Sequence, residues 1–107
     1  MFKPKVRETD YEYFTIYDSK TESYREPMLA VNQHDMLRQI DGLFRDPAQE
    51  RNQLLTNAED FSVYKIGTFT KKTGLITSVQ PPEHIANLHE IRAAVRSTQP
   101  PLGIVST

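Results

Sequence analysis

The chain has 107 residues, of which 37% are hydrophobic and 25% charged, with a formal net charge of −1 and no cysteine. A chain of this length makes one domain with one modest core, burying roughly 60–70% of its unfolded surface. These figures exclude disulfide stapling, thiol catalysis and Cys-based metal sites. They also exclude bulk charge as the force that would draw the whole molecule onto nucleic acid or anionic lipid.

Residues 1–10 hold Lys3, Pro4, Lys5 and Arg7 and read as a flexible basic arm. No apolar segment follows these charges, so a secretory signal is not expected, and no apolar run in the chain is long enough to span a membrane. A reducing, intracellular compartment fits the absence of cysteine. Residues 11–17 are aromatic and β-branched, the composition of a strand, and period two puts Phe14 and Ile16 on a buried face. Tyr11, Tyr13, Thr15 and Tyr17 fall on the other face. Asp18 to Thr21 is a turn, with the Asp18 carboxylate accepting a backbone N–H two residues on. Residues 24–28 return as a strand that Pro27 marks as an edge or an end.

Asn32 is a helix N-cap with Asp35 at the third helical position. Behind it Met36, Leu37, Ile40, Leu43 and Phe44 fall within about 120° of arc, an apolar stripe, with Arg38, Asp41 and Arg45 opposite. Asp41 and Arg45 are spaced for an i,i+4 pair. Gly42 weakens the helix and offers room for another backbone, and Pro47 stops it. Residues 48–59 read as either a short helical turn carrying Leu54 and Leu55 or a loop. Residues 61–70 form a long strand whose apolar phase breaks at Phe69, and a bulge at Gly67 would restore it. Lys71 to Gly74 is a hairpin turn, with Gly74 at positive φ, and residues 75–79 return. Pro81-Pro82 open a second amphipathic helix on which Ile85, Leu88, Ile91, Arg92 and Val95 share a face. Pro100, Pro101 and Gly103 give an extended tail. The expected fold is α+β: an antiparallel sheet of about four strands in two hairpins, packed by one main helix, plus a C-terminal helix. Residues 11–97 make the domain, between the arm at 1–10 and the tail at 98–107.

Nothing in this pattern carries catalysis. His84 and His89, five apart, do not share a helix face as metal ligands would, so no metal site is expected. No serine sits in a Gly-x-Ser-x-Gly elbow, Glu59 and Asp60 are adjacent and point apart, and no glycine-rich loop would cradle a phosphate. The expectation is a non-enzymatic protein without a cofactor. Charge, however, is unevenly spread. Residues 61–80 contain no acidic side chain, whereas residues 32–60 carry six acidic groups against Arg38, Arg45 and Arg51. Tyr13 and Tyr17, with Tyr11 beside them and Tyr24 on the neighbouring strand, would offer a stacking platform. Lys20, Arg25, Lys65, Lys71 and Lys72 would meet phosphates. Aromatic rings interleaved with cations suit sequence-tolerant binding of single strands, because every base has a π-face and every nucleotide a charge. On residue chemistry alone, the same tyrosines suit a second core or a dimer interface, where Tyr is also common, better than a stacking platform.

Three blocks carry a resemblance. The first is Tyr13-Phe14-Thr15-Ile16-Tyr17-Asp18-Ser19-Lys20-Thr21, followed by Tyr24 and Pro27-Met28. The second is Ala30-Val31-Asn32 with Arg38. The third is Glu59-Asp60-Phe61-Ser62-Val63-Tyr64-Lys65-Ile66-Gly67-Thr68-Phe69, followed by Gly74 and Ile76. Together, over residues 13–76, they resemble the small nonstructural protein of gokushoviruses, single-stranded DNA phages of the Microviridae. The resemblance implies a role in viral DNA replication, single-strand synthesis and packaging in the host bacterial cytoplasm, by binding single-stranded DNA or a replication protein. It carries no assigned roles for residues. Most motif positions read as structural: Asp18 as turn, Asn32 as cap, Phe61, Tyr64 and Ile66 as core, Gly67 as bulge. Lys20 and Arg38 are least explained by packing. The leading expectation is a single-stranded-DNA-binding homodimer, with the second helix covering exposed sheet or a partner copy. The alternative is an adaptor that docks on a viral or host replication or capsid component without touching DNA. A minor structural or scaffolding component is a third reading.

Overall fold

The computed structural model describes residues 10–98. The expected arm and tail therefore fall outside the described residues, save for Asp10 and Thr98. Asp10 is tied to the sheet, its N–H donating to Phe69 O at 2.8 Å and its carboxylate accepting from Lys71 N–H at 2.7 Å. Five strands, β1 (Tyr11–Asp18), β2 (Ser23–Tyr24), β3 (Met28–Ala30), β4 (Phe61–Thr70) and β5 (Leu75–Asn87), form one antiparallel sheet. Three helices, α1 (Gln33–Arg45), α2 (Gln53–Thr56) and α3 (Leu88–Thr98), accompany it. The architecture is α+β, as the patterning of the chain implies. Strand order is β2-β1-β4-β5, with β3 sharing the β2 edge of β1.

β1 is the centre of the sheet, and its alternation divides the molecule. Phe14 and Ile16 are buried on one face, where Met36 and Ile40 of α1, Leu88 of α3, Phe61 and Val63 of β4, Ala30 and Ala58 complete the core. Ile16 lies directly opposite Val63, so the two strands present their apolar groups to the same helices. The N-cap reading of α1 holds: Asn32 Oδ1 accepts from Asp35 N–H at 2.8 Å, while Asp35 Oδ2 accepts from Val31 N–H at 3.3 Å. The helix ends at Arg45, which pairs with Asp41, and Asp46 caps a 3-10 turn that begins at Pro47. Two 3-10 turns flanking the four-residue α2 resolve the ambiguous stretch before β4. The Asp18 turn also forms as expected, with Asp18 Oδ1 accepting from Lys20 N–H at 2.9 Å, and Gly74 adopts φ +72.

Five expectations need correcting. Residues 24–28 do not form one returning strand: Pro27 has no N–H to donate, and β2 and β3 pair with β1 on either side of the break. Thr15 is not exposed with the tyrosines but 1% accessible, its hydroxyl donating to Arg25 O at 2.6 Å where the chain between β2 and β3 passes over it. Tyr64 and Ile66 are not core. Val63 faces the core, so Tyr64 faces away, and the register slips between Lys65 and Gly67, leaving Ile66 as the extra residue of a bulge. Among the described residues nothing lies within 4 Å of where a Cβ on Gly42 would stand, so none of their backbone approaches it. The last correction is the second helix. Pro81-Pro82 lie within β5, in an excursion between the Gly67–Ser78 and Lys65–Glu83 pairs, and the chain pairs with β4 as far as Asn87. Proline disfavours helical backbone in the residue before it, and β4 is long enough to hold the segment extended. Ile85 is a second bulged residue and packs on the core from the strand.

The apolar stripe of α3 is consumed inside the molecule. Leu88 is fully buried and Val95 nearly so, and Ile91 packs on the core, so these side chains cover the sheet of their own chain. Arg92, on the same face, reaches the loop before β4, with Nη1 donating to Leu55 O at 2.9 Å and Nη2 to Glu59 Oε2 at 2.8 Å. That guanidinium is the main cause of the Glu59 carboxyl lying below its ordinary pKa.

Three outcomes follow for stability. Asn32→Ala should cost about 1 kcal/mol in urea denaturation, the usual worth of an N-cap side chain. Gly67→Val should cost about 1–3 kcal/mol by overpacking, because a Cβ there would sit 3.0 Å from Thr77 O on β5. The Glu59–Arg92 pair contributes above the ordinary carboxyl pKa of 4.5 and is lost as pH falls through the lowered folded value. The small gap in denaturation midpoint between wild type and Glu59→Gln should therefore close on acidification below that point.

Candidate nucleic-acid interface

The face of the sheet away from the helices is aromatic. The chain has five tyrosines, and all of them lie there. Tyr11 is opposite Phe69, Tyr13 opposite Gly67, and Tyr64 opposite the buried Thr15. Tyr17 is opposite Tyr24 of β2 on one side and Ser62 on the other. The pleat explains the set: residues 11, 13, 15 and 17 share one side of β1, and residues opposite one another in an antiparallel pair share a face.

Two clusters occupy the ends of this face. At the β2 end, ring centroids of Tyr17 and Tyr24 are 4.8 Å apart, Tyr24 and Tyr64 5.7 Å, and Tyr17 and Tyr64 6.1 Å. His84 extends the cluster from β5, edge-on to Tyr64 at 5.4 Å, and its Nε2 is 2.8 Å from Asn87 Oδ1, which also accepts from the Ser62 hydroxyl at 2.8 Å. These tilted and edge-to-face contacts are the geometries that aromatic quadrupoles favour, and they hold the rings in fixed orientations. Tyr24 remains 48% exposed. At the other end Tyr11 stacks on Phe69 at 6.4 Å, and Lys71 Nζ lies 5.0 Å above the Tyr11 ring, a cation–π contact. Between the clusters runs an apolar groove of about 190 Å³ lined by Tyr13, Pro27, Ile66, Gly67, Ile76 and Ser78. Ile66 faces this side with Tyr64, and the bulge brings Gly67 after it opposite Tyr13.

Of the residues singled out from the sequence, Tyr13, Tyr17 and Tyr24 stand together on the open face. Lys20 is exposed in the turn beyond Tyr17, and Lys71 and Lys72 belong to the turn beyond Phe69. The two basic turns therefore flank a row of rings that runs about 20 Å along β1. Lys65 is elsewhere. It lies opposite Phe14 on the helical side, and its Nζ pairs with Glu12 Oε2 at 3.2 Å. Arg25 also turns to the helical side, where it lines a small cavity with Ile16, Glu26, Met28 and Leu54. Sequence reasoning missed Tyr64 and His84 as members of the face. The alternation of Phe61 and Val63 signals Tyr64, since the residue after a buried strand position points the other way. His84 carried no such signal, because its segment resembles the start of a helix.

What the face offers chemically is π-surface, hydroxyl and imidazole hydrogen-bonding groups, and cations at both ends. Among the described residues no helix is long and apolar enough to cross a membrane. No curated protein and no solved structure matches the chain. A protein-family model described as Phage ORF5 protein matches residues 11–91, which span all five strands, α1, α2 and the first turn of α3. The chain belongs to this family of phage proteins.

Proposed function

We propose that this phage protein binds single-stranded DNA, without catalysis, on the tyrosine face of its sheet. The single observation that carries the reading is the gathering of every tyrosine, with His84, on the one sheet face that no helix covers among the described residues. Bases stack on rings whatever their identity, and the row is flanked by Lys20 at one end and by Lys71 and Lys72 at the other, so phosphates meet cations where the strand enters and leaves. A near-neutral molecule can work in this way because the basic groups act locally, while the acidic surface of residues 32–60 belongs mostly to α1 and the turns on the helical side. The resemblance of residues 13–76 to the small nonstructural protein of gokushoviruses supports a place in single-strand synthesis and packaging in the host bacterial cytoplasm.

A second reading is favoured by the groove beside Tyr13. Its walls are almost wholly apolar, and such a slot suits a hydrophobic side chain better than a nucleotide. In that reading the protein is an adaptor docked on a viral or host replication or capsid component.

Fluorescence anisotropy of a labelled oligonucleotide of about 30 bases, single- and double-stranded, separates the two. The DNA reading expects preference for the single strand and affinity that falls with salt. Tyr24→Ala and Tyr64→Ala should each weaken binding by about 1–3 kcal/mol, the worth of one base–aromatic stack. Lys20→Ala and Lys72→Ala should each lower the salt slope by about 1. Lys65→Ala, on the other face, should leave the affinity unchanged. Folded protein that binds neither oligonucleotide overturns the reading.

A further inference from the structure

β5 is an outer strand of the sheet, and its first half is unusual for an edge. Leu75 and Ile76 are 63% and 64% exposed, the highest values among the large hydrophobic residues that stand exposed. Residues 73–82 contain no charged side chain. Sheet edges are ordinarily protected from pairing by lysines, inward charges, proline or covering loops. Here protection begins only at Pro81-Pro82, which closes one end of the run, while the turn with Lys71 and Lys72 closes the other. Among the described residues, no strand pairs with β5 on the side away from β4.

We propose that a second copy of this chain pairs with β5, antiparallel, about a two-fold axis at Thr77, and joins two sheets edge to edge. A two-fold axis at Thr77 sets that residue against its own counterpart, so a charge there would meet like charge. An uncharged run is what self-pairing needs, and it offers a charged partner strand no complement. The charges flanking the run favour the same arrangement. Antiparallel pairing about Thr77 brings the Lys71-Lys72 turn of one copy to the far end of the other's uncharged run, beyond which Glu83 stands. Ile76, opposite Phe69 on the tyrosine face, lies beside the joint. The two open faces become one, with the aromatic row doubled. This proposal stands apart from DNA binding, since it concerns the free protein.

The contact is short. Interfaces under about 1,200 Å² form weak and transient complexes, so the association should depend visibly on concentration, with a dissociation constant on the order of micromolar or weaker. Sedimentation velocity of the full chain without DNA tests it. Wild type should shift from monomer to dimer as concentration rises. Thr77→Lys and Thr77→Glu, each shown to be folded by circular dichroism, should be monomeric at concentrations where wild type is dimeric. An equal mixture of the two should recover the dimer, because opposite charges then face across the axis. Ile76→Lys should be monomeric as well, which keeps the test sound if a Thr77 variant fails to fold. Wild type that stays monomeric throughout overturns the proposal. So do charged variants that still dimerise, which would place the interface elsewhere, and a mixture that remains monomeric.

Discussion

The pairing of β1 with β4 sets Ile16 against Val63 on one face and Tyr17 against Ser62 on the other, and the rest of the structure depends on it. A strand's side chains alternate with period two, so one register commits every residue of both strands to a face. With Phe14, Ile16, Phe61 and Val63 turned one way, the helices have a single apolar surface to cover. α1 brings Met36 and Ile40, and α3 brings Leu88. The tyrosines are then left on the far side as a geometric consequence. A slip of one residue between the two strands would bury the rings and expose the core, which the apolar gain from four buried side chains forbids.

Two bulges adapt this pairing without breaking it. Ile66 is the extra residue on β4, and its side chain stays on the open face beside that of Tyr64. The bulge lets Gly67 and Phe69 line up with Tyr13 and Tyr11. Gly67 is needed immediately afterwards because β5 comes so close that Thr77 O would touch a Cβ. Ile85, the bulged residue on β5, packs on the core instead. The polar side chains follow the same division. Lys65, beyond the helices' reach yet on their side, is neutralised by Glu12, whereas Lys71 rests over the Tyr11 ring.

The candidate surface lies where the fold leaves rings unburied. Tyrosine suits that position because its ring gives area at little entropic cost and its hydroxyl tolerates water. Phenylalanine, with no polar tip, is used in the core at Phe14 and Phe61 and half-buried at Phe44, while Phe69 joins the open face under the cover of Tyr11. The open face therefore combines a rigid aromatic lattice with a soft apolar groove and two basic turns, and the first half of β5, its outer strand, is free of charge. These features lie next to one another because three neighbouring strands, β1, β4 and β5, carry most of them, with Tyr24 on β2 and Lys20 in the turn before it.

By itself the sequence determined the local elements whose causes are local. The Asp18 turn, the Asn32 cap, the stop at Pro47, the span of β4 and the positive φ of Gly74 each follow from one or two side chains acting on nearby backbone, and each is where the residues indicate. The membership of Tyr13, Tyr17 and Tyr24 in one face was legible for the same reason, through period two. What only the tertiary structure decided involves residues far apart in the chain. Pro81-Pro82 is a good helix opening in isolation, but β4 offered a partner, and a strand pairing outweighed the helical start until Leu88. Tyr64 and His84 joined the face because the registers of β1 with β4 and of β4 with β5 placed them there. Lys65 left it because its register opposite Phe14 puts it on the helical side, where it pairs with Glu12, 53 residues away in sequence. Local chemistry sets which conformations a segment prefers, and long-range pairing sets which of them it keeps.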